Sequence, residues 1–327
     1  MTSKKFFWGI VLVSYSVVIL FALIIRCIDP MNYMDNEFAS WQQQKDYIRG
    51  QGTEKQIIFL GDSVLKAAVL PELIHENAQV LALGGATPIE MHYTLNEYLS
   101  HHPMPEKVFI SFSPLHYADM ESYRSRNLYF HYFPWQEVVA SQLAIFRHDK
   151  QPWFKYLPDL ADDTEYLLRL PTKYFRTIYD SRLQRGEDNH KEYETISAAR
   201  GHKYFGLSND WYLDYKPYQG WLKPFVPLDS LDFYVKEIID ICKKNNIEVH
   251  VVQEPIHVLD YELISSSGYL KAFQTYMRTL AKETGIDVEC ELPVYSVEYF
   301  GDNLHVNEEG AKRYSMELRN KYIQNVP

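Results

Sequence analysis

Residues 56–63 read Q-I-I-F-L-G-D-S. An apolar run stopped by glycine, without the alternation of a half-exposed strand, predicts a strand buried on both faces. Three further stretches read the same way: Q-V-L-A-L at 79–83, closed by Gly84-Gly85; K-V-F-I-S-F-S at 107–113, stopped by Pro114; and I-E-V-H-V-V-Q at 247–253, followed by Glu254-Pro255. Between and after them, Val64–Leu73 reads as a helix or turn, and helical spacing predicts helices over Pro88–Ser100, Leu228–Asn245 and Ser265–Thr284, the last with Gly285 as its stop. Asn307 is a natural N-cap for a final helix to about Ile323. Apolar strands alternating with helices predict an α/β domain with a mainly parallel sheet covered on both faces.

In such sheets, sites form beyond the carboxyl ends of the strands. Gly61-Asp62-Ser63, Gly84-Gly85, Ser113-Pro114 and Glu254-Pro255-Ile256-His257 all fall at such ends. The middle of the chain, about 117–225, departs from the alternation. It is rich in Tyr, Trp, His, Arg and Asp, and reads as a helical, aromatic-rich insertion or lid with helices over Trp135–Phe146 and Asp162–Tyr179. His131, Trp135, Trp153, Trp211 and Trp221 could form a sugar platform, although packing of the insertion explains them as well.

The other end of the chain is of a different kind. Phe6 to Ile25 is a run of 20 residues without a charge, enough to cross a hydrocarbon core of roughly 30 Å. Lys4 and Lys5 precede it and Arg26 follows, a bias that favours a cytoplasmic N-terminus. The run is longer than a signal-peptide core and ends in I-I-R-C-I-D-P, with no A-x-A cleavage site. The expected organisation is a cytoplasmic tail at 1–5, a transmembrane anchor at 6–28, a polar stalk with a short helix at 29–55, and one domain at 56–327 outside the cytoplasm. A net charge of -10 argues against a nucleic-acid partner, which needs a basic surface. Cys27, Cys242 and Cys290 have neither metal nor C-x-x-C spacing and read as free thiols. No metal set and no glycine-rich nucleotide loop is evident, so no cofactor is implied.

A serine hydroxyl becomes a nucleophile when a histidine takes its proton and a carboxylate holds that histidine's tautomer. Ser63, after a glycine and at a strand end, fits the first part: the chain turns sharply there, and backbone N–H groups can face a developing oxyanion. Asp302 and His305, in D-N-L-H, fit the second. A tight turn lets the carboxylate reach Nδ1, leaving Nε2 for Ser63. Asp62 can cap the turn that follows it, while His116 and His257 could line a pocket.

An early G-D-S block with a late D-x-x-H block resembles the SGNH (GDSL-like) hydrolases, over roughly 56–113 and 247–322. The resemblance implies a three-layer α/β/α, flavodoxin-like domain. It also implies Ser63 as nucleophile, His305 as base and Asp302 as its orienter, with the N–H groups of Ser63 and of Gly84 or Gly85 at the oxyanion. Where the family usually carries an oxyanion asparagine, this chain has S-F-S-P-L-H-Y, so Ser113 or a backbone group must serve. With the anchor, this looks like the membrane-bound members that acylate cell-envelope polymers, such as the D-alanylation protein of lipoteichoic acid and the alginate and peptidoglycan O-acetyltransferases. These often work beside a multi-spanning membrane O-acyltransferase. The implied activity is acyl transfer to, or ester removal from, an envelope glycopolymer. Alternatives are a simple anchored carboxylesterase or deacetylase, and a non-catalytic SGNH-like scaffold.

Overall fold

The computed structural model describes residues 3–50, 55–120, 122–208 and 210–324. It is a mixed α/β structure, mostly helical, around a parallel sheet. The strands are β1 (Ile57–Gly61), β2 (Ala78–Ala82), β3 (Lys107–Ser111), β4 (Glu248–Val251), β5 (Ile256–His257), β6 (Asp287–Val288) and β7 (Val294–Tyr295). Five of them form one sheet in the order β2-β1-β3-β4-β6, parallel throughout, and β5 pairs with β7 in a small second sheet. The helices are α1 (Ser3–Cys27), α2 (Asn36–Arg49), α3 (Ser63–Ala68), α4 (Pro71–Ile74), α5 (Pro88–His101), α6 (Trp135–His148), α7 (Trp153–Leu167), α8 (Pro171–Ser181), α9 (Gly186–Ala198), α10 (Asp229–Lys244), α11 (Val258–Ser267), α12 (Tyr269–Thr284) and α13 (Glu308–Tyr322).

Side chains alternate across a strand, so β1 feeds two cores. Ile58 and Leu60 join α2, α5, α10 and α12 on one face. Ile57 and Phe59 join α3, α4 and α13 on the other. Both faces are therefore covered, which explains the unbroken apolar runs.

Three local expectations change. In the segment read as a polar stalk, the expected short helix is the 14-residue α2, started by Asp35, whose carboxylate accepts from the Glu37 N–H. Phe38, Trp41 and Ile48 bury its inner face in the main core, so α2 belongs to the folded domain; polar outer positions hid that face in the sequence. The helix expected over Asp162–Tyr179 is two helices, because Pro171 cannot continue α7 and instead starts α8. The helix expected from Ser265 is likewise broken: Gly268, at φ 81°, separates α11 from α12.

The aromatic middle segment shares the core of the sheet. Tyr117, Leu128, Phe130, Tyr132 and Trp221 are buried in the same core as the sheet. Asn189 of α9 donates to the carbonyls of Met31 and Met34 at 2.7 and 3.1 Å, tying the segment to the stretch before α2.

At the other extreme, α1 is long and apolar enough to cross a membrane, and nearly all of it is exposed.

Candidate active site

Gly61 ends β1 hard against β3. A Cβ there would collide with the Ser111 carbonyl oxygen and with Leu65. The chain then turns at Asp62, whose Oδ1 accepts from the Val64 N–H at 2.8 Å and caps α3. Ser63 is thereby the first residue of α3, at the carboxyl edge of the sheet. Gly84 and Gly85 follow β2, and Gly85 takes a φ of 71° that a side chain would resist. Ser113 follows β3, and Glu254 follows β4. Because β2, β1, β3 and β4 are neighbours in that order, these four strand ends sit side by side.

His305 comes from the loop before α13, whose N-cap is Asn307. Its Nε2 lies 2.9 Å from Ser63 Oγ, and its Nδ1 lies 2.9 Å from Asp302 Oδ2. The Oδ1 of Asp302 also accepts from the backbone N–H groups of Leu304 and His305, at 2.8 and 2.7 Å. Burial alone would raise the Asp302 pKa, but the hydrogen bond and charge of His305 and these two N–H groups hold it below the ordinary carboxylate value. An ionised Asp302 fixes the proton on Nδ1, so Nε2 accepts from Ser63.

A second carboxylate–histidine pair lies behind the serine. The Oδ2 of fully buried Asp62 accepts from His116 Nδ1 at 2.5 Å and from the Ser113 N–H at 2.8 Å. Burial disfavours charge on both side chains, yet the ion pair outweighs it: the Asp62 pKa is lowered and that of His116 is raised. The Ser113 N–H is thus committed to Asp62, which removes it as an oxyanion donor. Glu254, also buried, faces Asp62, and burial with that neighbouring charge raises its pKa well above the usual range.

His257 holds the loop that carries Asp302 and His305 rather than touching Ser63. Its Nε2 donates to the Asn303 carbonyl at 3.1 Å, and its Nδ1 accepts from the Asp260 N–H at 3.1 Å. It also lines a narrow cavity of about 30 Å³ with Val64, Ser113, Pro255 and Leu304. A larger cavity of about 180 Å³, which Leu304 also lines, is bordered by His116, Asp119, Ser122 and Tyr218.

Several residues at the site escaped the sequence reading. Phe205 stacks on the His305 ring, with centroids 4.5 Å apart, and Gly206 packs directly on Asp302. Lys203 spans Glu37 and Glu192 at 3.0 and 2.9 Å, and Glu37 comes up against Gly84. Lys66, one helical turn after Ser63, is fully buried and donates to the Ala82 carbonyl at 3.0 Å. Burial, with Lys203 nearby, pushes its pKa down to about 7. Only Lys66 left a sequence signal, a lysine inside an otherwise apolar helix; the rest come from segments distant in the chain. The aromatic residues considered as a sugar platform do not share one environment: Trp221 is buried, Trp135 is exposed, and Trp211 donates to the Phe300 carbonyl. Among the described residues no group of His, Cys, Asp and Glu is arranged to hold a metal ion.

Comparison with known proteins adds a family. The model of an uncharacterised protein family matches residues 158–327, just over half of the chain, and the chain belongs to that family. No curated protein matches the sequence. Among solved structures, the chain is similar to one described as "a putative platelet activating factor from Streptococcus pneumonia", with 13% identity and a TM-score of 0.40, covering 86% of this chain and 90% of that one.

Proposed function

We propose that this protein is a membrane-anchored serine acyl-ester enzyme of the SGNH type, with its α/β domain outside the cytoplasm. The observation that carries the reading is the continuous chain Ser63 Oγ–His305–Asp302, with links of 2.9 Å on each side of the imidazole. The GDS-first, D-x-x-H-last order of these residues, on a parallel sheet with both faces covered, supports the family.

In the proposed reaction His305 Nε2 takes the Ser63 proton as Oγ attacks an ester carbonyl. The oxyanion faces the N–H groups of Ser63 and of Gly84 or Gly85. His305 then returns the proton to the leaving alkoxide, and an acyl-Ser63 ester remains. In the second half His305 deprotonates an incoming hydroxyl, which takes the acyl group and frees Ser63. A sugar hydroxyl gives transfer to an envelope glycopolymer, with a multi-spanning O-acyltransferase as acyl source; water gives hydrolysis.

A fluorophosphonate probe tests the reading, followed by mass spectrometry of the full chain. One adduct on Ser63, absent in His305→Ala, is expected. Folded wild-type protein that takes no adduct would rule out an activated serine.

A further inference from the structure

We infer that the outer face of α8 lies on the lipid headgroup layer of the membrane that α1 crosses. The inference rests on α1 being a spanning helix. The uncharged run Phe6–Ile25 has 20 residues, and a hydrocarbon core of roughly 30 Å needs about 20 residues at 1.5 Å each. No length is left over for a spacer between membrane and domain. Yet Ala22 and Ile25, in the last turns of that run, are 8% and 3% exposed, because the domain closes over them and α8 packs on α1. The Arg26 guanidinium also reaches the Leu167 carbonyl, at the end of α7, at 3.4 Å. Whatever covers Ala22 and Ile25 must itself sit at the membrane boundary.

The side chains on α8 suit that place. Phe175, Arg176 and Tyr179 share one helical face turned away from the protein. Phe175 and Tyr179 are 55% and 73% exposed, and their rings stack on one another. Leu168 and Leu183 flank the helix at its two ends and are exposed as well. Beside them stand Arg176, paired with Asp180 at 3.5 Å, and Arg182 just past the helix end, while Lys173 is turned to Asp162 and Glu165. Exposed aromatic rings beside arginine side chains suit the headgroup region of a membrane. In water the same face would be an exposed apolar patch with nothing to cover it.

The test uses the full chain in vesicles of phosphatidylethanolamine and phosphatidylglycerol. A benzoylphenylalanine photo-crosslinker replaces Leu20 of α1, Phe175 or Tyr179 of α8, or the exposed Met316 of α13. Phospholipid adducts at 20, 175 and 179, with only background at 316, are expected. Adducts at 20 with background at 175 and 179 would overturn the docking of α8 and leave the span intact. Background at 20 as well would remove the span and the docking together.

Discussion

Ser63 stands at the end of a five-residue strand buried along its whole length, whereas the Phe205 ring that covers His305 comes from an irregular stretch, 201–208. The first is positioned by a parallel ladder on both sides, by the Asp62 cap and by two hydrophobic cores. The second is held by a few contacts, among them the Ser208 N–H donating to the Gly301 carbonyl at 3.0 Å and Lys203 between two glutamates. Ser63 thus sits on the regular, doubly covered part of the fold, and the ring over His305 on a stretch without regular secondary structure.

The comparison can be broken at several points. The largest effect belongs to the strand end: Ser63→Ala should lower turnover of a short acyl ester by about ten-thousandfold while leaving thermal unfolding almost unchanged. A variant with near wild-type turnover would remove Ser63 from the chemistry.

Lys66 joins the two regions, since its charged neighbours Lys203 and Glu192 lie in the middle segment. Its folded pKa, about 7, is below its ordinary value of 10.5. Between these two values the unfolded chain binds the extra proton, so stability should rise as pH climbs through that window. The whole span is worth on the order of 4 kcal/mol. The rise should flatten in Lys66→Met, read as the difference between the two proteins in denaturant midpoint from pH 7 to pH 9.5, about one unit short of the upper end. Parallel curves for the two proteins would mean that Lys66 keeps its charge on folding.

Gly61→Val would force a side chain onto β3 and should cost roughly 3 kcal/mol of stability, seen as a lower denaturant midpoint. If the midpoint stayed put, the β1–β3 contact would be looser than described. Phe205→Ala is the mildest test. Loss of one stacked ring, about 1 kcal/mol, should slow ester turnover several-fold and hardly move the midpoint. A large loss of stability instead would make the irregular stretch a structural brace.

How legible all this was depended on distance along the chain. The strands of the main sheet up to β4 were readable because burial on both faces leaves apolar runs bounded by Gly and Pro. The two-residue strands β5, β6 and β7 were not, since two residues carry no period. The nearness of Asp302 to His305 was readable because three residues and one turn fix it. That Lys203 pairs with Glu37 and that Phe205 stacks on His305 was not, because nothing local couples residues a hundred or more positions apart.

By itself the sequence determined the alternating α/β architecture, the apolar length of α1 and the turn that hands Asp302 to His305. Each follows from local periodicity, chain length or short-range hydrogen bonding. Only the tertiary structure decided that α2 is core and not stalk, that the Ser113 N–H belongs to Asp62, that Phe205 covers His305 and that α8 packs on α1. Those facts depend on which surfaces bury one another, and burial is a property of the assembled chain.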